Sequence, residues 1–394
     1  MTDLKQLFEH NLLEEAQIAF DLNHFLANNP ELSGSEFLAI KEISGILAKH
    51  KIPSEKNFVS LPTAFKANIV KGDEKAPRFA ILMEYDALPH IGHGNGHCAS
   101  GSISLLAALA LRKMRADLNA HIDLIGTPNE EVRGDKIIMA NEGIFNSYDA
   151  VIMVQMSSNQ TLPYCHFLAL SEIKATFTGK EAHAATAPWQ GRNALNASIL
   201  TCNAIDMLRQ QLEPANRVAY TINQSGQATN LIPDHSEVII NLRHPYKAEL
   251  DETMHRIHKC IEGASIATET NFKIEKTGED FADIKLNRVG IDVITDILKE
   301  LNIPSSSPNV KEEFGSSDIG NISYITPTFQ PLLAITDEYI PINTREFAEL
   351  MKSDSINHTI ENGAKIIGHF IIELHSNLEK LSEMKKEFEE RVLY

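Results

Sequence analysis

With 394 residues, 43% hydrophobic and 23% charged, the chain is long enough for two domains and has the composition of a soluble globular protein. Its net charge of −17 and its sequence pI of about 5.4 argue against a nucleic-acid or anionic-membrane partner. No run approaches the ~18 apolar residues of a membrane span, and the first residues show no basic stretch followed by an apolar core, so neither a span nor a secretory signal is expected.

In chain order, apolar residues recur at helical spacing over residues 14–28, and again over 37–47 after a Ser33-Gly34-Ser35 start signal. Residues 78–83 form a short apolar run suited to a buried strand. Residues 102–114 predict a buried helix, and 121–126 and 150–154 predict two more strands. This rhythm points to a mostly parallel sheet covered by helices. The texture changes near Ser171. Residues 172–178 alternate polar and apolar, a long helix is predicted over 193–211, strands over 218–222 and 237–243, and a helix over 249–266. The expectation is a strand–helix–strand–strand–helix–strand α+β domain at 170–283, inserted into a larger domain made of 1–169 and 284–394. The chain returns with a helix over 289–301, a Pro/Ser-rich loop at 304–308, a strand near Leu332, and helices over 354–375 and 378–392. The charge-rich stretch 379–391 reads as a solvated amphipathic helix.

Four polar clusters fall at or just after predicted strand ends: Asp86, the loop 92–98, Glu130-Glu131, and Gln155. Ligands of open α/β sheets gather at the carboxyl ends of strands, so this convergence predicts one site at one sheet edge. Taken singly, each cluster reads as a surface loop. Adjacent carboxylates suit a base beside a cation ligand. His93 and His97, four apart around Gly94, Asn95 and Gly96, can point into one pocket, and the glycines suggest closely packed backbone. Cys98 stays open between a nucleophile beside histidines and a buried structural cysteine. The four cysteines, Cys98, Cys165, Cys202 and Cys260, form no C-x-x-C pair and no disulfide framework, which fits a reducing cytoplasm.

Several motifs then occur in order: Glu84-Tyr-Asp-Ala-Leu-Pro89, Thr127-Pro-Asn-Glu-Glu131, Lys180-Glu-Ala-His-Ala-Ala-Thr-Ala-Pro-Trp-Gln-Gly-Arg-Asn-Ala-Leu195, Thr229-Asn-Leu-Ile-Pro-Asp234, Asn241-Leu-Arg243 and Gly315-Ser-Ser-Asp-Ile-Gly-Asn-Ile-Ser323. Over nearly the whole length the chain resembles the metallopeptidase and amidohydrolase family of aminoacylase, carboxypeptidase G, auxin-conjugate hydrolases and aminobenzoyl-glutamate hydrolases. The resemblance implies a zinc-peptidase-like α/β fold, its mixed, mostly parallel sheet flanked by helices, with an inserted ferredoxin-like dimerisation or lid domain.

It also implies a two-metal site whose five ligand positions fall on Asn95, His97, Glu131, Gln155 and Gln330. Only His97 and Glu131 are residue types the family uses. Asn95 stands for the bridging cysteine, and Gln155 and Gln330 stand for histidines. Neutral amides bind zinc and manganese poorly, so the expectation is a site without the family's metal ions, a weakly bound divalent ion staying open. By the same resemblance Glu130 is the general base and Asp86 orients the site. His183, Asn230 and Arg243 contact the substrate, often across a dimer interface, and the degenerate ligand positions line its pocket. The implied activity is hydrolysis of a small carboxylate-bearing amide, an N-acyl amino acid or dipeptide, by a cytoplasmic homodimer. Two alternatives stand beside it: a metal-dependent aminoacylase or dipeptidase with a weakened site, and an inactive small-molecule binder.

Overall fold

The helix α1 (Thr2–Asn28) begins about three turns earlier than predicted, because Phe8 and Leu12 continue the buried stripe of Ala19, Leu22 and Leu26. The computed structural model describes residues 2–308 and 315–390. These divide into two units. One comprises the described residues up to His166, from Ile284 to Pro308, and from Asp318 onward; the other comprises Phe167–Asp283 with Gly315–Ser317.

In the first unit, α2 (Phe37–Lys49) is followed by β1 (Ser54–Lys56), β2 (Phe65–Val70) and β3 (Arg78–Met83), then α3 (His97–Lys113), β4 (His121–Gly126), α4 (Asp135–Asn141), β5 (Ala150–Ile152) and β6 (Gln155–Ser157). With β11 (Thr328–Phe329), six described strands form one sheet in the order β1-β2-β4-β3-β5-β11. β3 pairs in parallel with β4 and β5, and β5 with β11, while β1–β2 and β2–β4 are antiparallel. The sheet is thus mixed, antiparallel at the β1-β2 edge and parallel from β4 through β3 and β5 to the β11 edge. β3 and β4 are buried along almost their whole length, as strands covered on both faces must be. The strand predicted over 150–154 ends at Ile152, and β6, which follows it, leaves the sheet and pairs in parallel with β12 (Leu332–Ala334).

The remaining helices of this unit are α7 (Arg288–Glu300), α8 (Ile319–Ile322), α9 (Arg345–Leu350), α10 (Asn357–Ser376) and α11 (Leu378–Glu390). The predicted end of the last helix at Val392 lies outside the described residues. α1, α3 and α10 pack against one another. A Cβ on Gly368 of α10 would lie 2.0 Å from the Phe8 ring, so this close helix contact requires glycine.

The second unit is an antiparallel sheet of β7 (Ala169–Thr178), β8 (Arg217–Gln224), β9 (His235–His244) and β10 (Asn271–Lys276) in the order β10-β7-β9-β8. The helices α5 (Ala194–Leu208) and α6 (Lys247–Thr268) close its core. Ile173, Ala175, Phe177, Val238, Ile240 and Leu242 alternate inward and meet Ile205, Ile257 and Ile261. Asn193 caps α5 by accepting from Leu195 and Asn196 N–H. No described helix is long and apolar enough to cross a membrane.

Candidate active site

The loops that leave β3 and β4 at their carboxyl ends carry Glu84, Asp86, Glu130 and Glu131. α3 starts at His97, five residues before the predicted start. Its N-cap is Gly96, in the left-handed region at φ 81°, where a Cβ would meet the Met156 side chain at 2.7 Å. A Cβ on Gly101 of α3 would lie 2.3 Å from the Glu84 carbonyl oxygen. α3 is therefore pressed against the end of β3, which brings His97, in its first turn, beside Glu84 and Asp86.

His97 Nδ1 lies 2.9 Å from Asp86 Oδ1, and its Nε2 lies 3.3 Å from Glu84 Oε2. The other Asp86 oxygen accepts from the Ser33 hydroxyl at 2.8 Å and from Glu131 N–H at 3.1 Å. Asn95 Nδ2 donates to Glu131 Oε1 at 2.9 Å and lies 3.4 Å from His97 Nε2. Gln155 is held at both ends. Its Nε2 donates to Glu84 Oε2 at 3.2 Å, and its Oε1 accepts from Met156 N–H at 3.0 Å. Lys136, on α4, is fully buried, with Nζ 2.6 Å from Glu84 Oε1 and 2.6 Å from Asp318 Oδ1. Glu130 stands between two groups. One of its oxygens lies within 4.8 Å of ligand atoms of His97 and Glu131, and likewise of Glu84 and Asp318.

Burial and proximity set the charges. Against burial, which alone would raise it, the His97 imidazolium and the bonds from Glu131 and Ser33 hold the Asp86 carboxyl well below the usual carboxylate range. Against burial, Glu84 and Asp86 hold His97 well above its ordinary value, so it carries a proton. Burial, then Glu84, Asp318 and Glu131, push the Glu130 carboxyl well above its ordinary value, with Lys136 opposing. Burial also pushes up Glu131, against His97 and Asn95, and takes Asp318 to about 6, against Lys136.

Among the described residues this network takes in Asn95, His97, Glu131 and Gln155 and leaves Gln330 outside it. Gln330 is buried and faces a small cavity shared with Cys165, Asn287 and Phe329, its Oε1 without a hydrogen-bond partner. His93 is buried, and burial together with the neighbouring His97 cation takes it down to about 3, so it stays neutral. Cys98 is fully buried and burial pushes its thiol up; the thiolate is the nucleophile, so the structural reading of Cys98 stands.

In the second unit His183 is exposed. Its Nδ1 accepts from Ala185 and Thr186 N–H, each at 3.2 Å, which leaves Nε2 as the free ring atom. Ala184 N–H donates to the Asn230 carbonyl at 2.9 Å, so the His183 and Asn230 segments run side by side. Arg243 is half-buried on β9, with Nε 3.4 Å from Asn241 Oδ1 and Nη1 3.3 Å from the Ser316 hydroxyl.

Glu84, Lys136 and Asp318 were not singled out from the sequence. Glu84 and Asp318 lie inside motifs quoted for the resemblance, and Lys136 had a usable signal: a lone cation leading into Ile-Ile-Met at the start of a helix.

The donor set does not fit the two-metal site that the resemblance implies. The Asn95 and Gln155 amides turn their N–H₂ groups toward carboxylates. Flipping Gln155 would break both of its bonds; flipping Asn95 would set its oxygen against Glu131 Oε1, 2.9 Å away, while turning it toward the more distant His97 Nε2 at 3.4 Å. The triad Glu84, Glu130 and Asp318 already surrounds an ammonium. The triad His97, Glu130 and Glu131 does offer three ligand atoms within 4.8 Å of one another, which weighs against the expectation of no metal at all.

Residues 169–269 match the peptidase dimerisation domain M20_dimer. The mouse Xaa-Arg dipeptidase is 29% identical over 398 residues, covering 98% of this chain and 92% of that protein. One of the p-aminobenzoyl-glutamate hydrolase subunits of Escherichia coli is 27% identical over 290 residues, covering 68% of this chain and 60% of that protein. The Bacillus subtilis YXEP protein, a dinuclear metal binding peptidase from the M20 family, superposes with a TM-score of 0.64 at 18% identity, covering 92% of this chain and 99% of that one. In its motifs, its mixed sheet and its α+β insert, the chain resembles the metallopeptidase and amidohydrolase family of aminoacylase, carboxypeptidase G and aminobenzoyl-glutamate hydrolase.

Proposed function

We propose that this protein hydrolyses a small amide whose leaving amine belongs to an amino acid, and that it does so without the family's metal pair. The names of its relatives, a dipeptidase and an aminobenzoyl-glutamate hydrolase, share that chemistry. The observation that carries the metal-free part is the fixed orientation of Gln155 and Asn95, which act as hydrogen-bond donors to Glu84 and Glu131.

In this reading Glu130 takes a proton from the attacking water and returns it to the leaving nitrogen. A carboxyl raised above its ordinary value suits both steps better than an unperturbed one. The second N–H of Asn95 faces the developing oxyanion, and the His97 imidazolium, its two N–H groups turned to Asp86 and Glu84, supplies positive charge beside it. His183, Asn230 and Arg243 hold the substrate's carboxylate.

The test is elemental analysis of the purified protein, followed by turnover of a panel of N-acyl amino acids and dipeptides before and after chelation. Substoichiometric metal and turnover that survives chelation are expected, with Glu130→Gln lowering kcat by about 10²-fold. The second reading is a single divalent ion on His97, Glu130 and Glu131, favoured by their mutual 4.8 Å geometry. It predicts turnover that chelation removes and manganese or zinc restores.

The domain at 170–283 is the proposed homodimer interface, in keeping with the dimerisation-domain match at 169–269. Sedimentation should give twice the chain mass of 43.8 kDa. The interface should bury on the order of 1,200 Å² or more in total. A monomer at micromolar concentration would reject it.

A further inference from the structure

The loop before α2 takes no part in the proposed hydrolysis, yet it touches both loops of the site. Glu36 occupies the N-cap position of α2, where a short polar side chain ordinarily accepts from the first helical N–H groups. It makes no such bond. Glu31 satisfies the helix start instead, its two oxygens accepting from Leu38 N–H at 3.0 Å and Ala39 N–H at 2.8 Å. The Glu36 carboxylate turns inward and is fully buried. One oxygen accepts from Gly34 N–H at 2.7 Å and Asn129 N–H at 2.9 Å; the other accepts from the Thr63 hydroxyl at 2.7 Å. A buried carboxylate is costly unless its lone pairs are filled, and here three donors fill them. A local rule broken at the helix start, with compensation from Glu31, marks a group held for another purpose.

That purpose follows from which backbone it grips. Asn129 has a left-handed backbone, φ 61°, a conformation that asparagine adopts more readily than most residues with a side chain. It immediately precedes Glu130. On the other side of Glu130, Glu131 N–H is held by Asp86 Oδ2, which Ser33 of the same 31–36 loop also bonds. Glu31 adds a third tie, its carbonyl accepting from Ala87 N–H at 2.9 Å. The segment 31–36 thus fastens the loop after β3 to the loop after β4.

We propose that Glu36 is a positioning residue: with Asp86 it clamps the backbone on both sides of Glu130 and so aims the Glu130 carboxyl at its target. The proposal rests on Glu130 as the general base. What matters in it is reach, since one oxygen must span to both Gly34 and Asn129. Glutamine keeps that reach without the charge, whereas aspartate keeps the charge and falls one methylene short.

The experiment compares full-length wild type with Glu36→Asp, Glu36→Gln and Glu36→Ala by hydrogen exchange of peptides covering residues 127–134 and by steady-state kinetics on the amide panel. In Glu36→Asp and Glu36→Ala, exchange over 127–134 should rise by about tenfold or more while α1 and α10 keep wild-type protection. kcat should fall by about 10²-fold at nearly constant KM, the scale of a misplacement of about 1 Å. Glu36→Gln should stay near wild type in both. If Glu36→Ala does not fold, Glu36→Asp and Glu36→Gln decide alone. Wild-type exchange at 127–134 in Glu36→Asp, faster exchange spread evenly over the whole unit, or a Glu36→Gln as impaired as Glu36→Asp would each overturn the proposal. A wild type without amide turnover would reject the proposed function, and the exchange data would still decide whether Glu36 holds the loop.

Discussion

Replacing Lys136 with methionine is expected to destabilise the unit that carries the carboxylates by about 3–5 kcal/mol, the cost of removing one partner from a buried ion pair. The Lys136 ammonium lies 2.6 Å from both Glu84 and Asp318, and all three side chains are at most 1% exposed. Burial alone would depress its pKa; Asp318, Glu84 and Glu130 hold it above the ordinary lysine value instead, so it is charged throughout the physiological range. Without it the carboxyls of Glu84, Glu130 and Asp318 face one another within 4.8 Å and must take up protons or water. A native domain is stable by only ~5–15 kcal/mol, so the loss is a large fraction of the whole. Trp189, the single tryptophan, lies in the other unit, and its fluorescence would miss the event. Native-state hydrogen exchange of β3 and α4 amides reads it directly. Adding Asp318→Asn to Lys136→Met should recover part of the loss by removing one orphaned anion, a coupling between touching residues. A Lys136→Met protein within ~1 kcal/mol of wild type would mean that the cluster is already relieved by protonation, and that the ammonium is dispensable.

Most of the framework around this cluster is legible in the sequence. Residues 78–83 and 121–126 are apolar runs with no competing period, and both strands have those limits. The alternation in 172–178 reads as a half-buried strand because that strand covers one face only. What escaped depends on partners distant in sequence. The sequence predicts a start at 102 for α3, since His-Cys-Ala-Ser-Gly offers no apolar stripe and its left-handed Gly96 cap gives none of the usual Ser, Thr, Asp or Asn signal. β2, central to the sheet's antiparallel edge, is six residues long and passed unread. Lys136 and Asp318 meet across 182 residues of chain, and no local pattern announces such a pairing. The substitution of amides at Asn95 and Gln155 was legible, but the direction of those amides was not. Only the Met156 N–H and the Glu84 carboxylate fix which end of Gln155 is which.

Restoring ligands should test that direction. The double variant Asn95→Cys, Gln155→His is expected to bind zinc more tightly than wild type by on the order of 10³-fold or more. Four-ligand structural zinc sites are worth roughly 10–16 kcal/mol, so each good ligand carries several kcal/mol, and a thiolate and an imidazole here replace two amides that face carboxylates. The thiolate at 95 would stand beside Glu131 and His97, which are 2.9 and 3.4 Å from the present Asn95 nitrogen. The imidazole at 155 would stand against Glu84. Gln330→His behaves differently. Its side chain faces the cavity of Cys165, Asn287 and Phe329, so adding it to the double variant should change zinc affinity by less than about threefold. Turnover need not follow affinity, because the groups that hydrogen-bond to the new ligands must also orient them. The measurement is competition for zinc against a chromophoric chelator, across wild type, double and triple variants. A wild type that already matches the double variant would show that the present site holds zinc and that the fixed amides do not exclude it. A folded double variant that binds no zinc would break the assignment of Asn95 and Gln155 to the ligand positions. A gain that appears only with Gln330→His would place that side chain in the site after all.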